Sequence, residues 1–295
     1  MLSFRRILVA LDLSEADRHI LQYLAANAGL MGIEKAYFVN IMLDFTVPKH
    51  VDVEFQKLFA PEYPVDEKVK DKLGFDIQEA FDEDMGLEYS IEVIEGKPYE
   101  KLLHWIKVKE ADLLVVGKKE VSEGSGITAR RVARNANCNI LFLPANGYME
   151  IEHIIVPIDF SNHSLHALHA ALDLKSRKDE LSIHGLYIVD LPPEDYYSRS
   201  RPGTGYRGVL MESAQIAYDS FIRDNNLPLD QIEMAFLENK QHDIAGHIED
   251  FATGKPNSMI IMGAKGHSPF ETFLFGSVTE KLAERYNKLP ILVVR

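Results

Sequence analysis

The sequence predicts two tandem doubly wound α/β domains, each a five-stranded parallel sheet with helices on both faces. Three observations carry that expectation. The chain of 295 residues repeats itself at a period close to half its length, which means paired domains and not a solenoid. Within each half, short runs rich in β-branched residues alternate with helical patterns, the order expected of a parallel sheet. Right-handed crossovers between such strands then cover both faces.

The repeat is visible in three places. "FRRILVALDLSEADRHILQYLA" near the start returns as "IEHIIVPIDFSNHSLHALHAAL" from Ile151. "ADLLVVGKKE" (111–120) answers "NSMIIMGAKG" (257–266). "GITARRVARNANCNILFLP" from Gly126 answers "GSVTEKLAERYNKLPILVVR" from Gly276. The turn-rich segment "PANGYME" (144–150) separates the copies, giving expected domains 1–146 and 150–295.

In chain order, the first half offers the strand runs "RILVAL", "KAYFVNIM", "LEYSIEVI", "DLLVVG" and "NILFL". The second offers "HIIVPI", "LSIHGLYIV", "IEMAFL", "SMIIMG" and "PILVV". Between the first two runs of the second half, "SLHALHAALDL" sets Leu165, Leu168 and Leu172 on one helical face.

Composition bounds the function. Thirty-two basic against 45 acidic residues leave a formal charge of −13, which argues against broad binding to nucleic acid or anionic lipid. One cysteine, Cys138, excludes an intrachain disulfide and fits a reducing compartment. The apolar run in "MLSFRRILVALD" is short and carries Asp12 directly behind it, unlike a secretory leader. No run approaches the ~20 apolar residues of a membrane helix. The expected compartment is the cytoplasm.

In sheets of this kind ligands bind beyond the carboxyl ends of strands, where strand order reverses. Asp159 ends the first strand of the second half in "VPIDFS". After the fourth strand comes "MGAKGHSPFETFLFGS", with Gly263, two residues, Gly266, nine residues, Gly276 and Ser277. If the first and fourth strands are neighbours, both features face one crevice. An anion there would meet the start of the last helix. Gly263 and Gly266 are expected to admit close approach and positive φ. Ser277 and Thr279 are expected to offer hydroxyls, and Lys265 a charge. Taken alone, the same glycines also fit a strand end, a turn and a helix cap, and Asp159 also fits a local cap.

These residues resemble the universal stress protein family, and the second half resembles its ATP-binding type. The family's loop is glycine, two residues, glycine, nine residues, glycine, then Ser or Thr. Its first strand ends in an Asp with a Ser close behind, as at Asp159 and Ser161, and "PILVVR" is similar to its last strand. The resemblance covers both halves and implies a Rossmann-like fold. It implies that Asp159 meets the adenine end of ATP or AMP, helped by backbone around Pro157 and Ile158 and by the main chain of Ile188. Met262, Gly263, Lys265 and Gly266 would line the ribose and phosphate path, and Gly276, Ser277, Val278 and Thr279 would hold phosphates. Any Mg²⁺ or Mn²⁺ would be held largely by the nucleotide, because no carboxylate cluster marks a protein cage. The resemblance also implies an intramolecular pseudo-dimer through the last strands, with a homodimer open beyond it.

The first half departs from this pattern. Gly117 is kept, but Glu120 stands at the second glycine and Ile127 replaces the hydroxyl residue. Eight residues separate Gly117 from Gly126, against twelve between Gly263 and Gly276. Asp12 and Ile41 remain at the base-end positions, and Lys118 and Lys119 leave another anion conceivable. The expectation is a degenerate site here and a working one in the second half.

Other motifs compete with plain structural readings. His163, His166 and His169 fan over one helix surface, where successive pairs could share a metal or simply sit on an exposed flank. His104 and His247 occupy equivalent places before the fourth strands. "YYSRSRPGTGYRG" (196–208) fits either a flap over the base pocket or a solvated loop. Phe270, Phe273, Leu274 and Phe275 fit a partner-facing patch or local packing. The expected function is an adenine-nucleotide-binding stress regulator. The alternatives are a slow ATPase or transferase, with His267 the nearby titrating group, and a ligand-free scaffold.

Overall fold

Strand register in the two halves obeys one rule: the first strand of each repeat pairs with both the second and the fourth. The structure, a computed structural model, describes residues 4–42, 65–82, 85–118, 126–190, 206–239, 242–266, 275–285 and 288–295. The chain divides into two compact units, Ser3–Glu150 and Ile151–Arg295.

The first unit runs β1 (Arg6–Leu11), α1 (Glu15–Met31), β2 (Lys35–Met42), α2 (Val65–Ala80), β3 (Glu88–Glu95), α3 (Pro98–Val108), β4 (Leu113–Lys118), α4 (Gly126–Asn135) and β5 (Asn139–Pro144). Its strands pair in parallel in the order β3-β2-β1-β4-β5. Consecutive strands step outward from β1 in one direction and then resume on its other side at β4. The switch point therefore lies between β1 and β4. Ile7, Leu8 and Val9 are buried because helices cover both faces, which is why β1 reads as a continuous apolar run. Gly32 closes α1 in the left-handed region at φ 69°, its N–H turned back to Ala28 and Gly29 carbonyls.

The second unit repeats this plan with β6 (His153–Pro157), α5 (Asn162–Lys175), β7 (Ser182–Val189), α6 (Tyr206–Asp224), β8 (Ile232–Glu238), α7 (Ile244–Thr253), β9 (Ser258–Gly263), α8 (Ser277–Arg285) and β10 (Ile291–Val294). The parallel order is β10-β9-β6-β7-β8, with its switch point between β6 and β9. The face of α5 differs from the leucine stripe expected. Ala167, Leu168, Ala170, Ala171 and Leu174 are buried, while Leu165 and Leu172 flank them. Three alanines let the helix lie close to the sheet, where a wider leucine face would hold it off.

One detail recurs at both switch points. The residue after the strand-end aspartate is left-handed: Leu13 at φ 64° and Phe160 at φ 61°. Such a conformation costs an L-residue ~1–2 kcal/mol. It turns the chain sharply from strand to helix in each copy. Among the described residues, no helix is long and apolar enough to cross a membrane.

Candidate functional site

A cavity of about 570 Å³ opens above the carboxyl ends of β6 and β9. All twelve residues singled out in the sequence line it: Pro157, Ile158 and Asp159 after β6, Ile188 on β7, Met262 and Gly263 on β9, Lys265 and Gly266 behind it, and Gly276, Ser277, Val278 and Thr279 at the start of α8. His267, Phe270, Phe273 and Leu274 lie outside the described residues, as does the 196–205 stretch.

Asp159 has a local role as well as a place in the wall. Its Oδ1 accepts from the Ser161 amide at 3.0 Å and from the Ser161 hydroxyl at 2.5 Å. Ser161 in turn accepts from the Ser164 amide at 3.2 Å, capping α5. The left-handed Phe160 permits this closed turn, and its ring stacks on Tyr187 with centroids 4.7 Å apart. Burial pushes the Tyr187 phenol up, and the neighbouring charges of Asp159 and Asp190 act in the same direction. Tyr187 therefore stays a protonated donor at neutral pH.

The three glycines have reasons different from the one expected. None has a positive φ. A Cβ on Gly263 would stand 2.6 Å from the His163 carbonyl oxygen, so this glycine lets β9 touch the first turn of α5. A Cβ on Gly266 would run into the Asp159 carboxylate. A Cβ on Gly276 would meet the backbone of Lys265 and Gly266 at 3.5 and 3.6 Å, ordinary contact. Close packing within the chain, more than freedom of φ, fixes the first two.

Thr279 also departs from expectation. Its buried hydroxyl donates to the Gly263 carbonyl at 3.1 Å. Ser277, by contrast, is exposed. Gly276 N donates to the Ala264 carbonyl, and Ala264 N to the Val294 carbonyl, both at 2.8 Å. The first amides of a helix lack intrahelical acceptors, so α8 aims a positive end at this corner.

Six wall residues escaped the sequence reading: Ser164, Leu186, Tyr187, Asp190, Ile244 and Ile248. Tyr187 and Asp190 adjoin Ile188 and were within reach of strand-end reasoning. Ile244 and Ile248 come from α7, whose approach to the crevice leaves no local signal. Asn239 fixes the rim, donating to Asp190 at 2.7 Å and accepting from the Asp243 amide at 2.9 Å.

The histidine fan resolves into unlike members. His166 and His169 are exposed, whereas His163 has a buried Nδ1 with no hydrogen-bond partner. Burial lowers the His163 pKa, and positive charge at His166 and Lys265 adds to that. His104 is exposed and His247 half-buried. Among the described residues, no three His, Cys, Asp or Glu side chains are grouped to hold a metal.

In the first domain a smaller cavity of about 210 Å³ occupies the equivalent position, with Asp12, Ile41 and Gly117 in its wall. Asp17 is buried, and its carboxylate accepts the amides of Asp12 and Leu13 at 3.0 and 2.6 Å. Lys119 and Glu120 lie outside the described residues.

The family model for the universal stress protein family matches residues 3–144 and again 150–295. The chain belongs to this family, with two such domains. A universal stress protein of Methanocaldococcus jannaschii is 27% identical over 150 residues, spanning 51% of this chain and 85% of its own. Among solved structures, a universal stress protein of Archaeoglobus fulgidus is similar over 100% of this chain and 98% of its own, with a TM-score of 0.65 and 15% identity. A protein of unknown function from Pseudomonas aeruginosa aligns over 99% of this chain and 92% of its own, with a TM-score of 0.62 and 12% identity. At those identities the two structures speak to the fold alone.

Proposed function

We propose that the second domain of this universal stress protein binds an adenine nucleotide, ATP or AMP, and that occupancy of this one site serves a regulatory role. The observation that carries the reading is the set of residue types gathered in one cavity wall. Asp159 and Tyr187, Lys265 and the start of α8, and apolar residues such as Ile158, Ile188 and Met262 all line it. A base with donor groups suits the carboxylate, an apolar slot suits its ring, and phosphates suit the helix start and the lysine. A volume of about 570 Å³ is in the range of nucleotide-sized ligands. A divalent cation accompanying ATP would be held by the phosphates and water.

Mass spectrometry of small molecules released from denatured protein, together with calorimetric titration of ATP and AMP, tests the reading. Wild type should bind. Gly276→Val should weaken binding strongly, because its γ-methyls reach into the space beside Lys265 and Gly266. Lys265→Ala should cost about tenfold for ATP, near 1.4 kcal/mol, and less for adenosine. Absence of binding, or equal binding by all three forms, would refute the reading. Chromatography of products after long incubation with ATP separates a binding protein from a slow hydrolase.

A further inference from the structure

We propose that His153 and His184, at the amino end of the second domain's sheet, hold a divalent transition metal of the class that prefers imidazole, such as Zn²⁺, Ni²⁺ or Cu²⁺. His153 opens β6 and His184 lies near the start of β7, whereas the nucleotide-sized cavity lies at the carboxyl ends of the strands. The two sites are at opposite poles of one sheet.

Strand register builds the pair. His153 stands against Ser182, so His184, two residues on, projects from the same face. His153 Nδ1 and His184 Nε2 are 3.1 Å apart. The ring centroids are 5.2 Å apart with the planes inclined at 49°, so the rings meet nitrogen to nitrogen and do not stack. Bonds of about 2.0–2.1 Å to one ion set two nitrogens ~2.9 Å apart at a right angle and ~3.3 Å apart at the tetrahedral angle. The pair sits between those limits. Turning the rings, with no backbone movement, brings both lone pairs onto one ion.

Glu233 supplies the orienting group. Its Oε2 lies 3.0 Å from His184 Nδ1, and a carboxylate can only accept. His184 therefore carries its hydrogen on Nδ1 and, when neutral, a lone pair on Nε2. Carboxylate, imidazole, metal is the usual order around a ligating histidine. Burial favours the neutral His184 ring, and the Lys255 charge acts the same way. In the metal-free protein His153 donates from Nδ1 to His184 Nε2. With an ion present that hydrogen sits on His153 Nε2 instead, and no net proton is released. Lys255 also repels the ion, and no third His, Cys, Asp or Glu is grouped with the pair among the described residues. Water completes the shell, and the affinity is that of an open site.

The first domain shows the same positions without this chemistry. Arg6 and Tyr37 stand there in the repeat. Arg6 bonds Glu110 at 2.7 Å, and Tyr37 lies under Lys109, whose Nζ is 4.8 Å from the ring centroid. A paired guanidinium and a phenol covered by an ammonium offer no imidazole nitrogen, so the site belongs to the second domain.

The test titrates the full chain, free of nucleotide, with zinc chloride in a calorimeter. Substoichiometric Cu²⁺ is followed in parallel by electron paramagnetic resonance. Wild type should bind Zn²⁺ at one site in the micromolar range, and the copper spectrum should show coupling to a pair of imidazole nitrogens. His153→Ala should weaken zinc binding at least about tenfold and remove one of those couplings. Glu233→Ala, at an exposed side chain, should weaken it about tenfold with both couplings kept, and it serves if His153→Ala fails to fold. His166→Ala, on the exposed flank of α5, should change neither readout. No zinc binding by wild type, binding untouched by the His153 and Glu233 variants, or a loss in His166→Ala in their place would overturn the proposal.

Discussion

Asp12 and Asp159 end equivalent strands, precede equivalent left-handed residues and face equivalent cavities. Around them the two domains diverge. In the first, Asp17 takes up the turn amides, Ile20 narrows the space and the Ser14 hydroxyl is left unpaired. In the second, Ser161 closes the turn, Ala167 stands where Ile20 does, and Lys265 and a helix start supply positive character. The difference teaches that the turn belongs to the scaffold, because it survives in the domain whose glycine loop is broken.

The sharpest way to break the comparison is at the strand-end glycines. Gly263→Ala puts a Cβ 2.6 Å from the His163 backbone, which cannot swing away. Gly117→Ala meets only the end of the flexible Ile20 side chain. Urea unfolding should register a loss above ~3 kcal/mol for the first and ~1 kcal/mol for the second. Equal losses would mean that the two strand–helix contacts are not different in kind.

A smaller effect separates the serines. Ser161→Ala removes a helix cap and should cost ~1 kcal/mol by thermal or urea unfolding. Ser14→Ala removes no hydrogen bond and should be neutral or slightly stabilising in the same assay.

The smallest concerns pH. His184 on β7 is buried between His153, at 3.1 Å, and Glu233, at 3.0 Å, with Phe251 and Lys255 nearby. Burial and the Lys255 charge lower its pKa, although Glu233 opposes them. The unfolded chain therefore takes up a proton near pH 6.5 while the folded one does not, so stability should fall as pH drops below ~6.5. His184→Phe should flatten that limb of the unfolding midpoint between pH 7.5 and 5.5. An unchanged slope would assign the loss to His19 and His163, which are also lowered by burial.

Much of this was legible in the residues. The strand runs "RILVAL" and "KAYFVNIM" coincide with β1 and β2, because parallel strands buried on both faces have to be apolar and β-branched. The crevice was conditional on the first and fourth strands being neighbours, and both domains meet that condition. The reason for each glycine was not legible: spacing does not reveal that Gly263 meets a helix and Gly266 a carboxylate. Nor could Ile244 and Ile248 be found, since they reach the cavity from the helix before β9 and no local motif marks them. Ser14 and Ser161 read alike as letters, and only the hydrogen-bond geometry separates them.

The hydroxyl of Thr279 on the Gly263 carbonyl has a mechanical consequence. It fastens the first turn of α8 to β9, while Gly276 and Ala264 extend the same seam through to Val294 on β10. A corner tied to the sheet in this way cannot act as a lever when something binds there. The rim at Asp190 and the start of α7 is joined instead through the side chain of Asn239, so on the proposed reading it is the part of the wall left to move.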